Sequence, residues 1–139
     1  MKLQLATRQK AKIKMALQGP SGAGKTYSAL LLAYGLCKAW DKIGVIDTEN
    51  GSSNLYAHLG AFRVMTLTAP FTPEKYIDAI KLCENSSMEV IIIDSISHEW
   101  EGSGGILDIH GNMQGNSFTN WSKVTPRHNG FVQALNSYD

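Results

Sequence analysis

The eight residues from position 19 to position 26 constrain the chain more than any other part of its sequence. They read GPSGAGKT, in which glycines precede an adjacent lysine and threonine. Gly22 and Gly24 allow backbone conformations in which successive N–H groups point inward, and such a nest of N–H groups binds anions. A helix that begins near Gly24 adds the positive end of its dipole at the same place. The segment therefore predicts a phosphate-binding loop between a strand and a helix.

The two residues that close this loop indicate the chemistry of the anion. Lys25 supplies a mobile positive charge that can reach β- and γ-phosphates, and Thr26 offers a hydroxyl to Mg²⁺. A glycine-rich turn without a ligand would leave this pair of residues unexplained. We therefore predict that a nucleoside triphosphate and Mg²⁺ bind here. The predicted nucleotide-binding residues are Gly19, Pro20, Ser21, Gly22, Ala23, Gly24, Lys25, Thr26 and Tyr27.

Apolar runs alternate along the chain with segments of helical periodicity. Predicted strands cover residues 13–18, 43–47, 62–67 and 90–94, and predicted helices cover residues 24–40, 53–59, 73–84 and 125–135. The fourth strand is the most apolar, which favours a position in the middle of the sheet. Residues 102–117 contain five glycines and predict a mobile loop. Strands that alternate with helices pair in parallel through right-handed crossovers, so we expect a three-layer α/β/α fold around a parallel sheet.

An aspartate ends the fourth predicted strand, where the sequence reads EVIIID. Asp94 should lie at the carboxyl end of that strand, which is where ligands bind in open α/β sheets. We predict that Asp94 orients the Mg²⁺ shell, through a water molecule, although a strand-end aspartate can also cap a turn. The next residue, Ser95, could contact the γ-phosphate or a water molecule, or could simply begin the next turn.

Two further carboxylates end the second predicted strand, in the sequence VIDTENG. Their position places them near the expected γ-phosphate. A general base must orient a water molecule there, and a glutamate has the reach to do so. We therefore predict Glu49 as the catalytic base, with Lys25 as the second catalytic residue. Asp47 is expected to support Glu49 or to cap the turn that follows.

Three segments of the chain together resemble a known family. They are GPSGAGKT at 19–26, VIDTENGSSNLYAHLG at 45–60 and IIIDSISHEW at 91–100. In this order they resemble the RecA/RadA recombinase-like P-loop ATPases, and most closely the phage-type RecA-like AAA-domain ATP-binding proteins associated with single-strand annealing. The resemblance implies that ATP and Mg²⁺ are the ligands and that Glu49 polarises the attacking water. It also implies binding of single-stranded DNA in phage-type recombination. It divides the chain into a basic segment, residues 1–11, and a RecA-like nucleotide-binding domain, residues 12–139.

The chain also departs from that family. Its members continue into a further strand beside the strand that precedes the P-loop, so we expect a sheet that is incomplete on its carboxyl-terminal side. A homo-oligomer with ATP at the subunit interface would complete such a site with a basic residue from the next chain. The alternative is a truncated ATP-binding module that does not hydrolyse ATP. A small-molecule kinase is a third alternative, but kinases clamp phosphates with several arginines, and this chain has Arg8, Arg63 and Arg127 alone.

The distribution of charge and of aromatic residues leaves the question of a nucleic-acid partner open. The chain has a net charge of +1, but its first 40 residues hold seven lysine and arginine residues and no acidic one. Such a segment can follow a phosphate backbone or can simply be solvated. Trp100 or Trp121 could stack on an unpaired base, or pack against the domain. No apolar run approaches the ~20 residues of a membrane span, so we expect a cytoplasmic protein without a membrane partner.

Overall fold

The structure is a computed structural model, and it describes residues 1–7 and 12–137. Within these residues the sheet has three parallel strands. The strands are β1 (Ile43–Asp47), β2 (Arg63–Thr66) and β3 (Val90–Asp94), in the spatial order β2–β1–β3. In the register of the sheet, Asp47 lies between Thr66 and Asp94. The carboxyl ends of the three strands therefore meet at one edge of the sheet.

Helices connect these strands and follow them. The α-helices of the described residues are α1 (Lys25–Cys37), α2 (Pro73–Asn85), α3 (Ser97–Glu101), α4 (Ile106–Gly111) and α5 (Ser117–Asn136), and 3₁₀-helices cover Trp40–Lys42 and Ser52–Leu59. Helix α2 begins where the sequence predicts it, because the Thr72 side chain accepts a hydrogen bond from the Lys75 N–H at 3.3 Å and proline follows Thr72. Among the described residues, no helix combines the length and the apolar character that crossing a bilayer requires.

The sheet separates two apolar clusters. On one face Leu30 of α1 packs with Val45 of β1, and on the other face Ile46 of β1 packs with Tyr76 of α2 and Phe131 of α5. Successive residues of a strand point to opposite faces, so neighbouring residues of β1 serve different clusters. All five residues of β1 are buried, as expected for a strand with a partner on each side. The structure confirms the predicted three-layer α/β/α fold.

The strand predicted over residues 13–18 is wrong. Residues 12–20 contain neither helix nor strand, and the apolar side chains of Ile13, Met15 and Leu17 are exposed. The apolar pattern of a strand is present at residues 13–18, but these residues pair with none of the three strands of the described sheet.

The predicted central position of the strand at 90–94 is also wrong. Strand β3 lies at an edge of the described sheet, and β1 occupies the centre. Every residue of β3 is half-buried, whereas every residue of β1 is buried. The difference follows from the missing fourth strand, because β3 has no other described strand to cover its outer edge.

Residues 102–117 are more ordered than a mobile loop. They contain α4, whose first residue, Ile106, is fully buried. Helix α5 begins at Ser117, well before the predicted start at Thr125, and Pro126 lies inside it. The side chain of Asn116 accepts hydrogen bonds from the N–H groups of Phe118 and Thr119 and so begins the helix early. A Thr–Pro pair is typical of a helix start, but Thr125 and Pro126 lie inside α5.

Candidate functional site

The glycine-rich loop has the backbone conformation that an anion nest requires. Gly22 and Gly24 have φ angles of 81° and 85°, a left-handed conformation that favours glycine. A Cβ at either position would contact no atom within 4 Å, so the backbone conformation, not the lack of space, explains these glycines. Gly24 also precedes α1, and no side chain of the described residues caps that helix. The first N–H groups of α1 are therefore open to an anion.

The Lys25 side chain folds back over the loop. Its Nζ atom donates a hydrogen bond to the Gly19 carbonyl at 2.5 Å, which joins the first residue of the loop to the first residue of α1. The side chain is half-buried, while Pro20, Ser21 and Ala23 are exposed. The positive charge thus lies beside the open backbone N–H groups. Tyr27, two residues further along α1, is exposed, and its ring centre lies 6.0 Å from that of Tyr56.

A short hydrogen bond joins the loop to the end of the sheet. Thr26 Oγ1 donates to Asp94 Oδ2 at 2.5 Å, so the second residue of α1 contacts the last residue of β3. The two residues lie 68 positions apart in the sequence, and both are half-buried. The structure therefore brings together the hydroxyl and the carboxylate that the sequence predicts as the Mg²⁺ site. Both groups are oxygen donors, the kind that Mg²⁺ prefers, and Mg²⁺ commonly keeps several water ligands besides one or two protein groups.

The carboxylate of Asp47 shapes the turn after β1. It is fully buried and accepts hydrogen bonds from the Glu49 N–H at 2.7 Å and from the Ser53 N–H at 2.9 Å, and the Ser53 hydroxyl also donates to it. A buried charge is unfavourable unless hydrogen bonds replace its hydration, and these three donors supply them to the Asp47 carboxylate. Asp47 therefore caps the following turn and also holds the backbone of Glu49.

Glu49 leaves this turn toward solvent. Its side chain is 44% exposed, and its Oε1 atom lies 3.9 Å from His98 Nε2. Its backbone is held by Asp47. A hydrogen bond therefore holds the backbone of Glu49, while its carboxylate is exposed.

A network of hydrogen bonds below Glu49 was not anticipated from the sequence. The buried Thr48 hydroxyl lies 2.8 Å from His98 Nδ1, accepts a hydrogen bond from the Ser95 N–H at 2.7 Å and lies 3.1 Å from the Ser95 carbonyl oxygen. The Thr48 N–H donates to the Asp94 carbonyl at 2.7 Å. Thr48 lies between two acidic residues in the sequence, which was the only signal of its importance. His98 carried no signal beyond its place four residues after Asp94.

Ser95 contributes its backbone more than its side chain to this network. Its carbonyl accepts a hydrogen bond from the Tyr76 hydroxyl at 3.0 Å, and its own hydroxyl lies 2.8 Å from that of Ser97. Burial raises the pKa of Tyr76 to about 12, so the phenol stays protonated and remains a donor. The Ser95 peptide is therefore fixed from two sides, by Thr48 and by Tyr76.

The tryptophans that could face a nucleic acid pack against each other. Trp100 and Trp121 stack with ring centres 6.0 Å apart, and Trp121 also stacks on His110 at 3.8 Å. Behind them the buried Glu99 lies 3.0 Å from Nδ1 of His128, and burial raises the pKa of the Glu99 carboxyl while the hydrogen bond with His128 lowers it. Trp100 still exposes 41% of its surface.

The arginines of the described residues do not take part in the site. Arg127 forms a two-bond pair with Glu74, at 2.6 and 2.8 Å, and Arg63 begins β2 at the end of the sheet opposite the carboxyl ends. Arg8 and Lys10 lie outside the described residues. Among residues 1–7 and 12–137, no three histidine, cysteine or acidic side chains gather in a way that could hold a metal ion.

The parallel sheet between helices and the glycine-rich loop before α1 define an α/β domain of the P-loop NTPase class. A family model described as an AAA domain matches residues 11–139, which is nearly the whole chain, and the protein belongs to this family. Membership indicates a nucleotide-binding ATPase domain. No curated protein and no solved structure matches the chain. The narrower resemblance to phage-type RecA-like ATPases stays a prediction.

Proposed function

We propose that this domain binds ATP with Mg²⁺ at residues 19–27 and hydrolyses it. The observation that carries the proposal is the hydrogen bond of 2.5 Å between Thr26 and Asp94. It places a hydroxyl and a carboxylate at the carboxyl edge of a parallel sheet, next to the open N-terminus of α1, which is the usual ligand position in such folds.

The phosphates would bind to the loop backbone and to Lys25. The N–H groups at the start of α1 and the helix dipole attract negative charge. The Lys25 ammonium group would exchange the Gly19 carbonyl for phosphate oxygens, a small movement because that carbonyl belongs to the loop itself. Gly19, Pro20, Ser21, Gly22, Ala23, Gly24 and Tyr27 complete the proposed nucleotide contacts.

Mg²⁺ fits the donors present. The Thr26 hydroxyl would hold the ion directly and the Asp94 carboxylate would bind one of its water ligands. When bound, Mg²⁺ would neutralise part of the negative charge of the phosphates. The hydrogen bond between Thr26 and Asp94 keeps both groups in position.

Glu49 would orient and deprotonate the attacking water. Its carboxylate is exposed, and its backbone lies two residues beyond the end of β1, the strand that neighbours β3. A positioned carboxylate base contributes typically 10²- to 10⁴-fold to a hydrolysis. The Ser95 hydroxyl, which lies 2.8 Å from the Ser97 hydroxyl, would contact the same water or the γ-phosphate.

We propose further that hydrolysis is coupled to single-stranded DNA in phage-type recombination, with ATP between subunits of a homo-oligomer. The exposed part of Trp100 supports a DNA contact, since an exposed ring can stack on a base. The positions of Arg63 and Arg127 support an oligomer, since a cation for the γ-phosphate would then come from a neighbouring copy.

The test is a phosphate-release assay of the purified protein with ATP, with and without Mg²⁺ and a single-stranded oligonucleotide. We expect Mg²⁺-dependent release that the oligonucleotide accelerates. ATP binding by calorimetry without release would favour the non-hydrolysing module. Transfer to an added small-molecule acceptor without release in its absence would favour a kinase.

A further inference from the structure

We propose that His98 is a positioning residue for Glu49, with Nδ1 accepting a hydrogen bond from Thr48 and the Nε2–H group facing the Glu49 carboxylate. The proposal rests on the hydrolysis proposed above and names a second residue that this hydrolysis needs. His98 is neither part of the glycine-rich loop nor a strand-end residue, and the proposed hydrolysis gives it no role so far.

The single hydroxyl proton of Thr48 has two acceptors within hydrogen-bonding distance. Thr48 Oγ1 accepts from the Ser95 N–H at 2.7 Å, which leaves its own proton for either the Ser95 carbonyl at 3.1 Å or His98 Nδ1 at 2.8 Å. The Ser95 carbonyl already accepts from the Tyr76 hydroxyl at 3.0 Å. A carbonyl oxygen can accept two hydrogen bonds, so both acceptors are open to the Thr48 proton, and we assign the proton to His98 Nδ1, the nearer of the two.

This assignment fixes the tautomer of the neutral imidazole. A neutral histidine carries one N–H, so a ring that accepts at Nδ1 is protonated at Nε2. Nε2 is the atom that lies 3.9 Å from Glu49 Oε1. His98 therefore presents a donor, not an acceptor, to the Glu49 carboxylate.

The ring of His98 is held more firmly than the carboxylate that it faces. It stacks on Phe71, with ring centres 4.8 Å apart and planes inclined by 18°, and Thr48 holds its other edge. The His98 side chain is 28% exposed against 44% for Glu49. A fixed donor beside an exposed carboxylate limits the orientations that the carboxylate adopts, and orientation contributes strongly to catalysis.

The separation of 3.9 Å is longer than a hydrogen bond. A movement of about 1 Å by the exposed Glu49 side chain, or one bridging water, closes it, and catalytic hydrogen bonds commonly tighten when the substrate binds. The opposing interpretation is that His98 only packs against Phe71 and Thr48, with no effect on Glu49.

Kinetics of three His98 variants separate these interpretations. The amide nitrogen of glutamine lies near the position of Nε2 and can donate to Glu49, whereas the shorter asparagine reaches only the position of Nδ1, beside Thr48. We expect His98→Ala and His98→Asn to lower kcat about 10- to 100-fold. We expect His98→Gln to stay within about 3-fold of the parent, and the Kd for ATP to change less than about 3-fold in all three, because His98 lies outside the phosphate loop. His58→Ala, in an exposed part of the Ser52–Leu59 helix, is the matched control.

Three kinetic results would overturn the proposal. They are a parental kcat in His98→Ala, a loss in His98→Gln equal to that in His98→Ala, or a parallel loss of kcat, ATP affinity and thermal stability in all three variants. The last pattern is that of a packing residue. In a Glu49→Gln background, removal of His98 should cost nothing further in kcat, since the group that it positions is gone.

A second measurement does not depend on turnover. Long-range ¹H–¹⁵N spectra of the histidine rings at about pH 8 report which ring nitrogen carries the proton, and the His98→Gln spectrum assigns the His98 signals. We expect the Nε2–H form and a shift of the Nε2 signal in Glu49→Gln that exceeds the Nδ1 shift. The pairing would be refuted by an Nδ1–H form of His98, or by an Nε2 signal that does not shift between the parent and Glu49→Gln. If the parent protein binds ATP and releases no phosphate, the proposed hydrolysis fails, while these spectra still decide the pairing.

Discussion

Asp47 and Asp94 end neighbouring parallel strands at the same register position, yet their carboxylates bind different partners. The Asp47 carboxylate is fully buried and accepts hydrogen bonds from Glu49 and Ser53, whereas the Asp94 carboxylate accepts from Thr26 of the loop. One aspartate therefore builds the turn that carries Glu49, and the other faces the proposed Mg²⁺. Because β1 and β3 are adjacent, the two functions meet within one strand spacing, which is about 4.8 Å.

Glu49→Gln should abolish turnover and keep ATP binding. Glutamine has nearly the same shape as glutamate, but it cannot accept the proton of the attacking water. We expect kcat to fall by at least about 100-fold, the lower range for loss of a general base, with an ATP Kd close to that of the parent. Phosphate release and calorimetry measure the two quantities. Glu84→Gln, exposed near the carboxyl end of α2, is the control, and turnover at the parental rate in Glu49→Gln would exclude Glu49 as the base.

Lys25→Ala should weaken nucleotide binding itself. The substitution removes the charge that folds over the loop, and a hydrogen bond to a charged group contributes about 1.5–3 kcal/mol. We expect the Kd for ATP to rise about 10- to 100-fold, which calorimetry measures directly. Lys81→Ala, exposed on α2, removes the same charge away from the loop and should leave the Kd unchanged. An unchanged Kd in Lys25→Ala would end the assignment of the phosphate site.

Asp47→Asn should destabilise the whole domain. The amide group of asparagine offers one acceptor oxygen where the carboxylate offers two, so one of the donors from Glu49 and Ser53 is left without a partner. We expect the free energy of unfolding to fall by about 2–3 kcal/mol. Urea denaturation measures it. Asp78→Asn, at an exposed position of α2, is the control, and equal stability of the two variants would contradict the buried role of Asp47.

The buried Glu99 should make stability depend on pH. Burial raises the pKa of its carboxyl above the ordinary 4.5, so the folded protein holds this proton more tightly than the unfolded chain does. The resulting stabilisation is complete below pH 4.5 and is lost as the pH rises through the raised pKa. In Glu99→Gln the side chain is uncharged at every pH, so this variant does not lose stability from the ionisation of residue 99 as the pH rises.

The corresponding measurement is the difference in unfolding free energy between Glu99→Gln and the parent, by urea denaturation from about pH 4 to pH 8. We expect the difference to shift in favour of the variant as the pH rises. Glu101→Gln, exposed on the same helix, should show no such trend. A difference for Glu99→Gln that is independent of pH would show that the carboxyl is ionised equally well in the folded and unfolded chains.

The sequence predicted those parts of the site that depend on local patterns. The loop from Gly19 to Thr26 and the aspartate that ends β3 follow from motif spacing and from the position of a polar residue after an apolar run. The sequence predicted Thr26 and Asp94 as Mg²⁺ groups, whereas the direct hydrogen bond between them is seen only in the structure. The roles of Thr48 and His98 were missed because they depend on a contact between two residues that lie fifty positions apart in the sequence.

By itself, the sequence determined the three-layer class of fold, the phosphate loop and the acidic strand ends, because glycine conformation, hydrophobic periodicity and strand polarity act over a few neighbouring residues. Only the tertiary structure decided that residues 13–18 stay outside the sheet, that β3 lies at its edge and that α5 begins at Ser117. A strand needs a hydrogen-bonding partner, a helix start can be overridden by an earlier cap, and a side-chain network needs partners distant in the sequence. These choices depend on which segments meet in space.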